Sequence, residues 1–112
     1  MEALATEEDL DQAMRADRAW VFKHSLSCPV SARALGELRR FLEGQTAQGR
    51  GLEVPVYRLD VQTQPRLTRE VAERLSTPHQ SPQLLVLERG VVTDELTHGA
   101  IRAPALARLL PP

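Results

Sequence analysis

At 112 residues, with 42% of them apolar and a formal net charge of −1, the chain is long enough to bury one modest core and too apolar for disorder. There is no basic excess to draw it to nucleic acid or an anionic membrane, no apolar run near the ~18 residues of a membrane span, and no signal-peptide core in Met1 to Leu10. A single cysteine excludes a disulfide framework and a cysteine-rich metal site, and fits a reducing, cytoplasmic setting.

One domain spanning 1–112 is expected. Thr6-Glu7-Glu8-Asp9 reads as a helix start with Thr6 as N-cap, and that helix ends near Ala16. Ala19-Trp20-Val21-Phe22 is a short apolar run of the kind buried on both faces of a sheet, and Lys23 to Ser27 reads as the polar loop after it. From Pro29 the period changes. Val30, Ala34, Leu35, Leu38, Phe41 and Leu42 mark an amphipathic helix, with Gly44 as its stop and a loop from Gln45 to Gly51. Val54 to Val61 is a second strand, with Pro55 confined to its start or to an edge.

Leu67, Val71, Ala72 and Leu75 form the buried stripe of another helix, followed by the loop Ser76 to Pro82. Gln83 to Glu88 and Val91 to Leu96 form a hairpin about Arg89-Gly90, and Thr97-His98-Gly99 is a loop. A last helix opens at Ala103-Pro104, buries Leu106, Leu109 and Leu110, and stops at Pro111 and Pro112. The order α-β-α-β-α-β-β-α predicts an α/β fold: a four-stranded mixed sheet flanked by helices, with an extra helix at the N-terminus and a right-handed parallel crossover first.

Cys28 falls between the first strand and the following helix. A thiolate is the nucleophile, and a helix start offers it unpaired N–H groups and the positive dipole end. Pro29 suits the first helical turn. Ser31 stands one turn on, placed to donate a hydroxyl hydrogen bond to the sulfur, and Lys23 and His24 add positive charge nearby. Lys23 has two readings, a partner of the thiolate or of a ligand's carboxylates, and a surface lysine at a strand end. His24, His79 and His98 have both ligand-binding and structural readings. The three histidines and Cys28 match no common zinc spacing, so no metal is assigned. The Cys28 to Arg33 interval is one residue short of a Cys-x5-Arg phosphate loop. Pro82 closes a loop before a strand, and a cis Ser81–Pro82 bond opposite Cys28 would present the Ser81 backbone to an extended thiol ligand.

Strand, Cys-x-x-Ser at a helix start, Ser-Pro before a later strand and a closing hairpin and helix resemble the thioredoxin/glutaredoxin fold. Phe22-Lys23-His24-Ser25-x-Ser27-Cys28-Pro29-x-Ser31, Leu59-Asp60-Val61, His79-Gln80-Ser81-Pro82-Gln83 and Thr97-His98 are similar to the monothiol bacilliredoxins of the bacillithiol system. The similarity runs from about Trp20 to Ile101 and departs at Gln80, where an acidic residue is frequent, and at Thr97, where serine is common. It implies a cytoplasmic thiol-disulfide oxidoreductase acting on S-bacillithiolated client proteins. Cys28 is then the attacking thiol, and Ser31 and Lys23 support the thiolate. Ser81, Pro82 and His98 receive the thiol ligand, bacillithiol is the co-substrate, and no cofactor is tightly bound. With one cysteine the mixed disulfide must be resolved by a second thiol. The alternatives are an iron–sulfur carrier like the monothiol glutaredoxins, which Pro29 disfavours because those carry glycine after the cysteine, and a non-catalytic redox sensor.

Overall fold

The computed structural model describes residues 1–49 and 53–111. Gly51 and Pro112, assigned above to a loop and to a helix stop, lie outside the described residues. The order is β1 (Glu2–Ala3), α1 (Glu7–Arg15), β2 (Arg18–His24), α2 (Pro29–Ala47), β3 (Val56–Asp60), α3 (Pro65–Arg74), β4 (Gln83–Glu88), β5 (Val91–Thr97), a 3-10 turn (His98–Ala100) and α4 (Ala103–Arg108). The strands form one sheet in the order β1-β3-β2-β4-β5. β2 lies parallel to β3 and antiparallel to β4, so the strand–helix–strand unit and the hairpin both form as expected.

The sheet has five strands rather than four. The addition is β1, two residues parallel to β3, too short to leave a periodic signal. α1 begins as expected: Asp9 N–H donates to Thr6 Oγ1, and the Asp9 carboxylate accepts from the Thr6 N–H.

The hydrophobic alternation of β2 builds two cores. Ala19 and Val21, with Leu59, Leu85 and Leu87, pack beneath Leu10 and Ala13 of α1 and Leu67 and Val71 of α3. Trp20 and Phe22, with Leu84 and Val86, pack beneath Ala34, Leu35 and Leu38 of α2 and Leu106 of α4. Covering both faces leaves β2 central and buried along almost its whole length.

Two boundaries differ from expectation in ways that matter for function. α2 runs through Gly44 and stops three residues later, where Gly49 takes the left-handed φ of 71°. A helix ends at a residue that can adopt that conformation rather than at its first glycine. β2 continues through Lys23 and His24, which pair with Leu59 and Asp60 of β3. These two are strand residues, not loop residues, so their side chains point to opposite faces of the sheet.

Candidate functional site

The chain leaves the end of β2, crosses Ser25 to Ser27 and enters α2 with Cys28 as its N-cap, in extended backbone at φ −107° and ψ 119°. Pro29 occupies the first helical turn, and the Cys28 carbonyl accepts the first helical hydrogen bond from Ala32 at 3.0 Å. The thiol is free and partly exposed, and its sulfur makes no capping hydrogen bond. Leu26 and Val30, two residues to either side, are 59% and 41% exposed, so two exposed apolar side chains flank Cys28 along the chain.

Ser31 stands at the third helical position, and its hydroxyl hydrogen bonds go to Ser25 and His24 rather than to the Cys28 sulfur. It is fully buried, and its hydroxyl is engaged on two sides. The Ser25 N–H donates to Oγ at 2.8 Å, and His24 Nδ1 lies 2.8 Å from the same oxygen. His24 stacks on Phe22 with ring centroids 5.8 Å apart. Burial lowers its pKa, with Asp60 opposing, so it is held toward the neutral imidazole.

Gln62 was not singled out in the sequence, yet it fastens the whole loop. Its Nε2 donates to Ser25 Oγ at 2.6 Å and to Ser27 Oγ at 3.1 Å, and its Oε1 accepts from the Leu26 N–H at 2.9 Å. The signal lies in the register. Because His24 pairs with Asp60 in parallel strands, the residues just past Asp60 must lie beside those just past His24.

Lys23 is not a surface lysine. It has no exposed area, and its Nζ finds no hydrogen-bond partner. Burial lowers its pKa to about 8, with the Glu95 carboxylate opposing. Its neighbour across β4 is Gln83, also buried, whose Oε1 is likewise unpartnered. This cation lies on the α1/α3 side of the sheet, and His24 lies on the α2 side.

The Ser81–Pro82 bond is cis. Since Lys23 pairs with Gln83, Pro82 falls next to the end of β2 from which the Cys28 loop departs. The Pro82 carbonyl accepts from the His98 N–H at 2.9 Å, and the 3-10 turn that His98 begins packs on α2. Pro82 and His98 are therefore joined directly and brought to the helix that Cys28 caps. His98 is exposed, in the left-handed region at φ 50°. Ser81 is partly exposed, with its Oγ buried and unpartnered. His79, in the same loop, is exposed, and its pKa is lowered by desolvation and by the Lys23 charge.

The arrangement presents one free, partly exposed thiol at the N-terminus of α2. A cleft of about 480 Å³ lies elsewhere, at the β1 edge between Glu2, Arg39, Leu42 and Arg58. Among the described residues no three His, Cys, Asp or Glu side chains group as a metal set, and no helix is long and apolar enough to cross a membrane.

Comparison with known proteins agrees with this fold. Residues 2–106 match the family model described as monothiol bacilliredoxin BrxC, and the chain belongs to that family. A solved structure described as having a thioredoxin fold is 27% identical at a TM-score of 0.81, over 96% of this chain and 90% of that one. Malassezia sympodialis thioredoxin is 13% identical at 0.74, over 96% and 85%. Mitochondrial thioredoxin 3 from Saccharomyces cerevisiae is 12% identical at 0.72, over 98% and 92%. The fold is thioredoxin-like, and the activity class is thiol-disulfide oxidoreductase.

Proposed function

We propose that this monothiol bacilliredoxin removes bacillithiol from S-bacillithiolated client proteins, with free bacillithiol as co-substrate, in the reducing cytoplasm. The observation that carries the reading is a single, partly exposed cysteine capping α2, with a buried serine where a second, resolving sulfur would stand. The Cys28 thiolate attacks the bacillithiol sulfur of the client's mixed disulfide. That S–S bond breaks, the client thiolate leaves with its electron pair, and Cys28 carries bacillithiol. The thiolate of a second bacillithiol attacks the bacillithiol sulfur on Cys28, releasing the Cys28 thiolate and bacillithiol disulfide.

The other residues have distinct parts in this reading. Leu26 and Val30 give the client an apolar surface at the sulfur. The Ser81 backbone, Pro82 and His98 receive the bacillithiol moiety, the imidazole offering a donor to its carboxylates. Ser31 supports the thiolate through its hydroxyl. A lysine as enclosed as Lys23 reaches no surface ligand, so its contribution is to the thiolate, by a positive charge acting through an interior that screens it weakly.

The test is mass spectrometry after exposure to bacillithiol disulfide, paired with release of thiol from a bacillithiolated client. The expected results are one bacillithiol adduct, confined to Cys28, and turnover that needs free bacillithiol. Client thiol released at the unsubstituted rate by Cys28→Ser would end the reading, and a single stoichiometric reaction without cycling would make the protein a sensor instead.

A further inference from the structure

The sheet topology brings four segments to the end where Cys28 stands. β2 and β3 run parallel and finish there, β4 runs antiparallel to β2 and begins there, and β5 returns to it. The segments are 25–33, 61–66, 76–82 and 98–102, each a connection together with the opening residues of any helix that follows. They contain three arginines, two histidines and no Asp or Glu, in a chain with 15 acids against 14 lysines and arginines. The helices repeat the pattern. α2, α3 and α4 have no acid in their first turns, where Asp and Glu are favoured, whereas α1 has three.

Arg66 and Arg102 are exposed, and neither they nor Arg33 has an ion-pair partner among the described residues. Arg102 Nε donates to the Gly99 carbonyl at 2.9 Å, which fixes this guanidinium at the 3-10 turn that packs on α2. The charge of buried Lys23 also reaches this end: together with desolvation, it lowers the pKa of the exposed His79. The acids that do lie at this end are at its margins. Glu7, Glu8 and Asp9 open α1 at the β1 edge, and Asp60, the last residue of β3, is held by Arg58. Leu26 and Val30 are the exposed large apolar side chains of the four segments.

We propose that this end of the sheet docks client segments in which the modified cysteine is flanked by Asp or Glu. Complementary charge speeds encounter and selects among partners, and a rim without acids spares an acidic segment like-charge repulsion. A thiolate at Cys28 itself repels such a segment, and the arginines offset that repulsion. The inference rests on Cys28 being the exchanging thiol, but it is tested without bacillithiol.

The probes are capped tripeptides X-Cys-X, with X either aspartate or lysine, prepared as methyl disulfides. The Cys28 thiolate attacks one sulfur, the S–S bond breaks, and the other sulfur leaves as a thiolate. Loss of the free Cys28 thiol is followed by mass spectrometry. The quantity compared is the aspartate-to-lysine rate ratio, divided by the same ratio for 2-mercaptoethanol, which removes the peptides' own reactivity. It is expected to be about five at ~10 mM salt, where charges act over about 30 Å, and to approach one at ~1 M salt, where they act over about 3 Å. Arg102→Glu and Arg66→Glu are each expected to lower it about twofold at low salt. Because it is a ratio within one protein, any change in the thiolate population cancels. A ratio at or below one at low salt would overturn the proposal, as would a preference that persists undiminished at ~1 M salt or in both variants. Preference for the aspartate peptide in a protein unable to release bacillithiol would count against the proposed function and leave this inference standing.

Discussion

The residue that most repays attention after Cys28 is Gln62, because it fastens all three residues of the loop Ser25 to Ser27 that leads to Cys28. Its amide makes three hydrogen bonds, all to Ser25, Leu26 and Ser27. Gln62→Ala is expected to cost about 1 kcal/mol, since exposed neutral hydrogen bonds are each worth a fraction of that. It should also remove hydrogen-exchange protection at the Leu26 N–H; unchanged protection there would show that the loop is held by other means. Lys23 gives a second prediction at this scale. Replacing an unpartnered buried cation by an apolar side chain of similar length relieves its desolvation, so Lys23→Met is expected to be more stable than the unsubstituted protein at pH 7 and yet slower in Cys28 alkylation. A variant both more stable and equally reactive would remove Lys23 from the site. What the sequence disclosed here was the chemistry of local neighbours: Cys28 before a helix, Pro29 in its first turn, Ser81 before Pro82. It did not disclose Gln62, or that His24 would meet Ser31, because those contacts follow from strand register and from which face each side chain takes.

Whole elements were legible wherever apolar spacing or capping chemistry was strong. α1 is such a case, with Thr6 and Asp9 satisfying each other's N–H groups and Leu10 and Ala13 filling the core. Thr6→Ala is expected to cost about 1 kcal/mol, the usual worth of such a cap, as a lower denaturation midpoint at an unchanged slope. The apolar run marks β2 as too short because a lysine and a histidine interrupt it. The period of two continues through them, and only the partners at each face tell that both are interior. The β4–β5 turn makes a sharper prediction. Arg89 and Gly90 both take positive φ, at 49° and 80°, the pairing that matches the twist of a two-residue hairpin. A Cβ on Gly90 would lie 3.1 Å from the Met14 carbonyl oxygen at the end of α1. Gly90→Ala therefore carries the left-handed penalty of ~1–2 kcal/mol together with that contact, and thermal unfolding should place it clearly below Thr6→Ala.

Across the whole molecule, stability should depend on pH in a manner dictated by the two groups buried at the end of β2. His24 has a folded pKa below its ordinary 6.5, so the folded state binds fewer protons there. Stability should then fall as pH drops from 6.5 through the folded value. Lys23 has a folded pKa of about 8 against 10.5 for the unfolded chain. Below pH 8 both states are charged and the burial cost is felt in full. Between about 8 and 10.5 the folded state has released a proton that the unfolded chain still holds, so stability rises with pH. From pH 7 to 10 the gain from Lys23 is on the order of 2 kcal/mol. The comparison stops at pH 10 because Tyr57, its pKa raised by burial and by Glu2 and Asp9, favours the neutral folded form and reverses the slope above that point. Urea unfolding at pH 7, 8, 9 and 10 should thus show a rising midpoint in the unsubstituted protein and a flat one in Lys23→Met. The two proteins would converge in stability toward pH 10, where Lys23 is neutral. Parallel curves would mean that Lys23 finds water or a partner for its charge. Convergence would mean that the fold carries an unpaired buried cation at the end of β2 at neutral pH, and that its cost disappears as it loses its proton above about pH 8.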